Sequence, residues 1–419
     1  MSAIVTASHD QVKVQQPTVG SHVRDYLGRV RGGDIGSLPA VLGLIVLCTF
    51  FGVMRPSFLT AGNFANLFTQ GAAVTLIAMG LIFVLLLGEI DLSAGYASGV
   101  CASVLAVLLT EQGLPWYVAV LASLATGAVI GLLIGLLVAK VGIPSFVVTL
   151  AAFLGFQGLV LIILEEGKNI SVRDDVILSL AFNGYVPPWL GWLLFALAVG
   201  GYGAVQLLRQ RSRAAQGLVT DPMGVIAARI AGLALILGAA VYVLNQERSR
   251  NPLLNSLKGM PVVVVVIGLL LVVLTFVLRR TKYGRHLYAV GGNAEAARRA
   301  GINVDRIRVS VFIIGSTMAA IGGIVAASRA ASVDPNTGGS RVLLYAVGAA
   351  VIGGTSLFGG KGRVLDAVLG GAVIAVIDNG MGLMNLSSGE KFIFTGLVLL
   401  IAATVDALSR RRASATGVR

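Results

Sequence analysis

Long apolar stretches separated by short polar connections dominate the chain from Leu38 to Leu408. A helix that crosses a bilayer needs about 20 predominantly apolar residues, and apolar windows of that order recur along the whole region. They lie near residues 38–54, 64–87, 92–110, 115–139, 143–164, 187–208, 225–245, 261–278, 309–331, 342–356, 364–385 and 390–408. The pattern predicts an all-α, polytopic membrane protein with 10 to 12 transmembrane helices.

The composition supports this prediction. Of the 419 residues, 56% are hydrophobic and only 12% are charged, and the mean hydropathy is +0.88. Because soluble domains are roughly a quarter charged, a water-soluble fold is excluded for most of the sequence. We expect one transmembrane domain at 38–408, a poorly ordered polar tail without signal-peptide features at 1–37, and a short tail at 409–419.

The basic residues lie in the connections between apolar windows. The net charge of +13 and the isoelectric point near 10.2 therefore indicate membrane topology rather than nucleic-acid binding, because Lys and Arg accumulate in cytoplasmic connections. Alternation of the windows places both termini and the main basic clusters on one side, the clusters being Lys140, 209–213, 279–308, 361–363 and 410–412. This arrangement predicts cytoplasmic termini.

Small residues recur within the windows. Gly127, Gly131 and Gly135 are spaced four apart, and small residues at this spacing let membrane helices approach closely. Cys48 and Cys101 also lie in apolar windows, without the spacing of a disulfide framework or a metal site. We interpret all five as packing residues, and we expect no metal, no cofactor and no catalytic constellation.

Glycine-rich polar interruptions follow the second and tenth windows, at 88–95 and 353–362. Broken helices at corresponding places in two halves indicate a transport pathway, because unwound backbone is tolerated at membrane depth only where protein or water satisfies it. The candidate pathway residues are Asn66, Gln70, Glu89, Asp91, Ser93, Gln157, Asp378 and Asn379. An alternative role for Asp91 is a capping carboxylate at the start of the third window.

The second interruption is superficially similar to a phosphate-binding loop. In that motif a Ser or Thr follows the lysine and reaches a magnesium ion, whereas Gly362 follows Lys361 in this chain. We therefore expect no nucleotide binding by the chain itself.

The connection at 279–308 is longer than a link between membrane helices requires. Capping and charge preferences predict a two-turn helix outside the bilayer. The residues that favour its start and its end are Asn293, Glu295, Arg298, Arg299 and Gly301. The segment is either a plain connector or a docking element for a cytoplasmic partner.

Four segments resemble the permease subunits of ribose/xylose-type bacterial ABC sugar importers. They are GEIDLSAG at 88–95, TKYGRHLYAVGGNAEAARRAGINVDRIR at 281–308, AVIGGTSLFGGKGRVLDAVLGG at 350–371 and SSGEKFIFTGLVLLIAATVDALSRRR at 387–412. The resemblance runs in order from about residue 40 to residue 412. The long insertion at about 187–260 is more similar to the xylose branch, which favours a pentose or related aldose.

The resemblance implies a non-catalytic pore subunit of the bacterial inner membrane that works by alternating access. A periplasmic sugar-binding protein would deliver the sugar, two permease subunits would form the pathway, and separate cytoplasmic ATP-binding subunits would hydrolyse ATP. It further implies that the 284–301 segment couples the pore to the ATPase. The positions that match the family are Gly284, Arg285, Gly292, Asn293, Ala297 and Gly301, and Glu295, Arg298 and Arg299 complete the candidate coupling residues.

Two other functions are compatible with the sequence. A secondary sugar transporter or facilitator also uses about twelve spans and broken helices, and Asp378 within an apolar window could titrate in such a protein. An integral-membrane enzyme or a scaffold is the other alternative, although the windows contain no polar catalytic constellation.

Overall fold

The computed structural model describes residues 36–165, 167–249 and 256–415, together with residues 20, 24 and 28. The predicted tail at 1–37 therefore lies almost wholly outside the described residues. Within the described part, a helix lies at each of the twelve predicted windows, so the all-α prediction is confirmed.

The helices, numbered along the described chain, are α1 (Leu38–Met54), α2 (Ala61–Leu86), α3 (Ala94–Ala106), α4 (Trp116–Leu136), α5 (Ser145–Ile163), α6 (Asp175–Ala181), α7 (Pro188–Ala215), α8 (Met223–Leu244), α9 (Val262–Arg280), α10 (Lys282–Gly292), α11 (Ala294–Arg299), α12 (Val304–Ala330), α13 (Ser340–Ile352), α14 (Val364–Leu383) and α15 (Ser388–Ala415). A 3₁₀ turn, Pro56–Leu59, follows α1, and the π-helical turns Val107–Glu111 and Leu137–Val141 extend α3 and α4.

In the described part of the chain, nine helices are long and apolar enough to cross a bilayer, and α1 and α13 are shorter apolar helices. Helix α15 begins near the predicted start of the last window but continues to Ala415, into the predicted tail at 409–419. Arg and Ala are good helix formers, so the basic sequence after Leu408 prolongs this helix instead of ending it.

Two short antiparallel strand pairs join connections at one end of the bundle. Strand β1 (Ile170–Ser171) pairs with β4 (Ser332–Val333), with Ile170 opposite Val333. Strand β2 (Tyr185–Val186) pairs with β3 (Met260–Pro261). The paired segments come from connections that the alternation of windows predicts to lie on the same side.

Contacts at the other end also agree with the predicted alternation. Lys140 lies 3.0 Å from the carboxylate of Asp305, and Arg363 donates a 3.0 Å hydrogen bond to the Ser37 hydroxyl. We call this end, which carries Lys140, the 279–308 connection and the 353–363 connection, the basic end. The end with the strand pairs is the opposite end.

Helix α12 lies at the centre of the bundle and packs against α2, α3 and α4. A Cβ atom built on Gly131 would lie 2.3 Å from the carbonyl oxygen of Phe312, and Cβ atoms on Gly127 and Gly135 would lie 2.7 and 2.8 Å from backbone atoms of α12. Only glycine permits this approach, so the predicted packing role of the three glycines is confirmed. Helix α2 is the most enclosed span, with 83% of its apolar window buried.

The insertion at 187–260 forms a hairpin of α7 and α8 at the edge of the bundle. Only 11% of the apolar window of each helix is buried. Large apolar side chains such as Leu197 and Leu235 point outward. Such exposure is stable only against lipid or another apolar surface, so the hairpin lies peripheral to the bundle that contains the candidate site.

Candidate functional site

The 279–308 connection folds as two short helices, α10 and α11, at the basic end. The predicted helix is α11, in which the Asn293 side chain accepts a 2.9 Å hydrogen bond from the N–H of Ala296. Gly301 follows with a φ of +82°, a left-handed conformation that favours glycine after a helix. Helix α10, capped by the Thr281 hydroxyl, was not predicted.

Helix α11 turns a charged face outward. Glu295 pairs with Arg298 at 3.0 Å and with Arg299 at 3.2 Å, and the Arg299 side chain is 80% exposed. Such exposed pairs add little stability, so these charges remain available to a partner. Of the nine candidate coupling residues, Gly284 and Ala297 are buried and the others are exposed, namely Arg285, Gly292, Asn293, Glu295, Arg298, Arg299 and Gly301.

The C-terminal end of α10 contacts the end of α2 and the second interruption through backbone atoms. The N–H of Gly360 donates a 2.9 Å hydrogen bond to the carbonyl oxygen of Leu86, at the end of α2. A Cβ atom on Gly291 would lie 1.9 Å from that same oxygen, and one on Gly359 would lie 2.9 Å from the Gly291 oxygen. We call this set, Leu86, Gly88, Gly291, Gly359 and Gly360, the glycine junction. Through it, α10 touches the end of α2 and the second interruption without intervening side chains.

The second interruption is held by a buried carboxylate. Asp366, 2% exposed, accepts hydrogen bonds from the backbone N–H of Arg363 at 2.8 Å and from its guanidinium, also at 2.8 Å. The hydroxyl of Tyr288 in α10 donates a 2.7 Å hydrogen bond to the carbonyl oxygen of Gly362. Asp366 in α14 and Tyr288 in α10 therefore bind the backbone of adjacent residues, Arg363 and Gly362, which links the start of α14 to the 284–301 segment. Neither Asp366 nor Tyr288 was among the candidate residues predicted from the sequence.

The first interruption contains three of the candidate pathway residues. Asp91 accepts hydrogen bonds from the N–H and the hydroxyl of Ser93, at 2.8 and 2.6 Å, and is 1% exposed. This turn lies three residues before α3 begins at Ala94, so the Asp91 carboxylate holds the helix entrance through Ser93, which is itself the N-cap residue. Glu89 lies 3.1 Å from Arg308 at the start of α12, so both acids are engaged at the basic end.

Four other candidate pathway residues come together at the opposite end. Asn66 and Gln70 lie in α2, and Asp378 and Asn379 lie in α14. Gln70 donates a 2.6 Å hydrogen bond to Asp378 and accepts one of 3.2 Å from Asn379. The eighth candidate, Gln157, lies exposed on α5, which contacts α3 and α4 rather than these helices.

Three further residues complete this group. Asn63 and Asn379 exchange two hydrogen bonds of 2.9 Å each. Arg341, at the start of α13, pairs with Asp378, and Arg329, near the end of α12, lies 3.4 Å from Asn66. We call the set of seven residues the polar mouth: Asn63, Asn66, Gln70, Arg329, Arg341, Asp378 and Asn379.

Of Asn63, Arg329 and Arg341, only Asn63 could have been selected from the sequence. Asn63 precedes Asn66 and Gln70 by one and two helical turns, so all three share one face of α2. The two arginines lie at the ends of their helices, where basic residues are common, and only the folded structure brings them to Asp378 and Asn66.

The polar mouth is partly open to its surroundings. The Arg341 side chain is 45% exposed and that of Asp378 is 19% exposed. At 1.5 Å per residue, Gln70 lies about 14 Å along α2 from its start. Polar and charged groups at such depth avoid lipid and face protein or water. The mouth can therefore line an aqueous passage.

Known proteins are similar in sequence to this chain over most of its length. Residues 63–403 match the family described as the permease component of the branched-chain amino acid transport system. The xylose transport system permease protein of Escherichia coli is 34% identical over 403 residues, which cover 96% of this chain and 98% of that protein. The Haemophilus influenzae protein of the same name is 33% identical over 89% of this chain and 96% of its own.

A ribose import permease protein is a more distant relative. The Escherichia coli protein is 28% identical over 367 residues, which cover 88% of this chain and 92% of its own length. No solved structure matches the chain.

Proposed function

Because the chain belongs to the family of branched-chain amino acid transport system permease components, we propose that it is the pore subunit of an ATP-driven sugar importer. The observation that carries the proposal is the exposed helix α11, whose neighbour α10 meets the end of α2 and the second interruption at the glycine junction. A permease subunit carries out no covalent chemistry, so ATP hydrolysis belongs to a separate subunit.

The relatives support a sugar as the transported molecule. Proteins named for xylose transport align with nearly the whole chain, and a protein named for ribose import aligns with most of it. We propose xylose or a related pentose or aldose as substrate. The amides and charges of the polar mouth suit a hydroxyl-rich molecule, since each can donate or accept hydrogen bonds.

The two ends of the bundle serve different partners in this proposal. A cytoplasmic ATP-binding subunit docks against the exposed residues of α11 at the basic end. A periplasmic sugar-binding protein delivers sugar to the opposite end, and two copies of the chain enclose the passage. This orientation places the protein in a bacterial inner membrane with both termini in the cytoplasm, in agreement with the distribution of basic residues.

Alternating access follows from the packing. ATP binding at the partner moves α10 and α11, and the glycine junction passes this displacement to the end of α2 and to the 353–362 interruption. Because α2 and α12 are closely packed, they move as rigid bodies rather than deforming locally. The proposed passage runs from the polar mouth to the two interruptions, and Glu89, Asp91 and Ser93 line it at the first interruption. Gln157 on α5 is assigned to a separate surface of the passage.

Uptake by reconstituted vesicles tests the proposal. Liposomes are prepared with this chain alone, with its ATP-binding partner, and with the partner and a periplasmic sugar-binding protein, and uptake of labelled xylose, ribose and leucine is measured. We expect xylose uptake only with all components and ATP. Sugar passage by the chain alone would instead identify a facilitator, and uptake of leucine without sugar would identify an amino-acid permease.

Charge reversal in α11 tests the coupling role. Arg298→Glu combined with Arg299→Glu reverses two exposed charges. The ion pairs that this change breaks are both with Glu295 at the surface. We expect the variant to insert normally but to lose ATPase binding in a pull-down assay. Arg211→Glu combined with Arg213→Glu, in α7, provides a matched control of equal charge change. Unchanged ATPase binding and unchanged uptake in the α11 variant would contradict the coupling role.

A further inference from the structure

The polar mouth contains a carboxylate, a guanidinium and amides beside two aromatic rings. Asp378 receives a hydrogen bond from Gln70 at 2.6 Å and pairs with Arg341. The Arg341 guanidinium carbon lies 5.2 Å from the ring centre of Tyr345 and 5.8 Å from that of Phe392. Planar polar groups and aromatic faces thus meet at one place near the opposite end.

This combination matches the chemistry of an aldose. A sugar presents hydroxyl groups that both donate and accept hydrogen bonds, together with an apolar face of C–H groups. A carboxylate accepts from two adjacent hydroxyls, a guanidinium or an amide donates to others, and an aromatic ring packs against the C–H face. We infer that Gln70, Arg341, Asp378 and Asn379, with Tyr345 and Phe392, form the subsite that receives the sugar from outside.

The existing contacts allow the sugar to enter. Arg341 and Phe392 are 45% and 49% exposed, and Asp378 is 19% exposed, so the ion pair lies at the edge of the mouth, where its contribution to stability is modest. Sugar hydroxyls can therefore replace Gln70 and Arg341 as partners of Asp378 at small cost. When the sugar leaves the subsite, Arg341 pairs with Asp378 again, so the Asp378 carboxylate regains its positively charged partner.

The position of these residues in the fold also suits a site that receives the sugar. The residues come from α2, α13, α14 and α15, and α2 and the α13–α14 pair are the same elements that bear the two interruptions at the basic end. A displacement of these helices at the glycine junction consequently changes the spacing of the mouth residues. Sugar held there is released toward the interior by the motion that follows ATP binding.

The inference rests on the proposed function, and the test separates the two. The complete complex in liposomes is assayed for labelled xylose taken up and for ATP hydrolysed, with Asp378→Asn in the permease. Asp221→Asn is the matched control, because Asp221 pairs with Arg229 at 2.9 Å in the connection between α7 and α8. We expect Asp378→Asn to lower the xylose moved per ATP on the order of tenfold, as expected for loss of a charge-assisted hydrogen bond.

A charge-swapped variant distinguishes sugar binding from a structural ion pair. Asp378→Arg combined with Arg341→Asp keeps the attraction but moves the carboxylate to α13. We expect this variant to remain as thermally stable as Asp378→Asn or more so, yet to stay defective in xylose moved per ATP. Restoration of transport by the swap would overturn the subsite, as would equal falls in uptake and ATP hydrolysis in Asp378→Asn.

The remaining outcomes concern the substrate. A zwitterionic amino acid could use the same two charges, so labelled leucine is tested in parallel with a leucine-binding protein. Leucine uptake that depends on Asp378 would overturn the assignment to a sugar. If the unmodified complex takes up no sugar with ATP, the proposed function fails, whereas normal coupling in Asp378→Asn overturns only the subsite.

Discussion

The two ends of α2 meet their neighbours through different kinds of contact. At its C-terminal end, the Leu86 carbonyl oxygen touches Gly291 and Gly360 backbone to backbone. At its N-terminal end, Asn63 and Gln70 reach α14 through amide side chains. Backbone contacts leave no room for adjustment, while amide side chains can change rotamer and partner. The basic end is thus suited to transmit motion, and the polar mouth is suited to exchange ligands.

The largest expected effect comes from filling the glycine junction. Gly291→Ala places a Cβ atom 1.9 Å from the Leu86 oxygen, so α10 must separate from α2 at a cost of roughly 3 kcal/mol. We expect a lower midpoint of thermal unfolding in detergent and loss of ATP-driven uptake. Gly268→Ala, in α9, is the matched control, because a Cβ atom there meets nothing within 4 Å. If the two variants are equally stable, the backbone contacts at the C-terminal end of α2 are not tighter than the side-chain contacts at its N-terminal end.

The next effect compares one polar group from each end. Asp366→Ala leaves the partly buried N–H and guanidinium of Arg363 without their acceptor and should cost roughly 2 kcal/mol, whereas Asn63→Ala at the partly open mouth should cost about 1 kcal/mol. Chemical unfolding in mixed micelles measures both. A larger loss for Asn63→Ala would mean that the mouth, rather than the second interruption, is the more rigid end.

A smaller effect concerns the cap of α11. Asn293→Ala removes the acceptor of the Ala296 N–H and should destabilise this short helix by about 1 kcal/mol. We expect weaker binding of the ATPase in a titration. Asn303→Ala removes the equivalent cap of α12, where Asn303 accepts from the N–H of Arg306 at 2.9 Å, and should leave ATPase affinity unchanged. The coupling role of α11 is contradicted if both variants bind the ATPase equally well.

The smallest effect is a pH dependence in the connection after α8. Hydrogen bonds from the Ser256 hydroxyl and from the N–H groups of Ser249 and Leu257 lower the pKa of Glu247 from 4.5 to about 2. A lowered pKa stabilises the fold above the ordinary value, and this contribution is lost as the pH falls from 4.5 towards 2.

Glu247→Gln should therefore unfold at a lower temperature than the unmodified protein at neutral pH, and the difference should shrink in acid. Thermal unfolding followed across this range measures it. Ser256→Ala removes the hydrogen bond that contributes most, so its loss of stability in acid should be smaller and should be complete at a higher pH. A difference between Glu247→Gln and the unmodified protein that is independent of pH would contradict this assignment.

Apolar windows predicted the spans well, because a bilayer imposes the same length and polarity on every helix. The cap at Asn293 and the turn at Gly301 were also predictable, since both depend on neighbouring residues. Helix α10 was missed because its glycines disfavour a helix locally. Its buried residues Leu287 and Val290 nevertheless lie one turn apart on a single face, a spacing that could have indicated it.

The two ends differ in how much the sequence could reveal about them. The polar residues of α2 and α14 could be selected individually as candidates, but no local pattern joins Gln70 to Asp378, which are 308 positions apart. The glycine junction was equally hidden, because Leu86, Gly291 and Gly360 come from three distant segments. Glycine itself gives no indication of which partner approaches it, so these contacts depend on the packing of the whole bundle.

The most direct test of communication between the two ends is the reactivity of a cysteine at the mouth. Phe392→Cys is introduced with Cys48 and Cys101 replaced by alanine, and its reaction rate with a membrane-impermeant maleimide is measured in the complete complex with and without ATP. We predict a several-fold change on ATP binding that persists with Gly268→Ala and disappears with Gly291→Ala. A rate that does not respond to ATP, or a response that survives Gly291→Ala, would contradict transmission through the glycine junction.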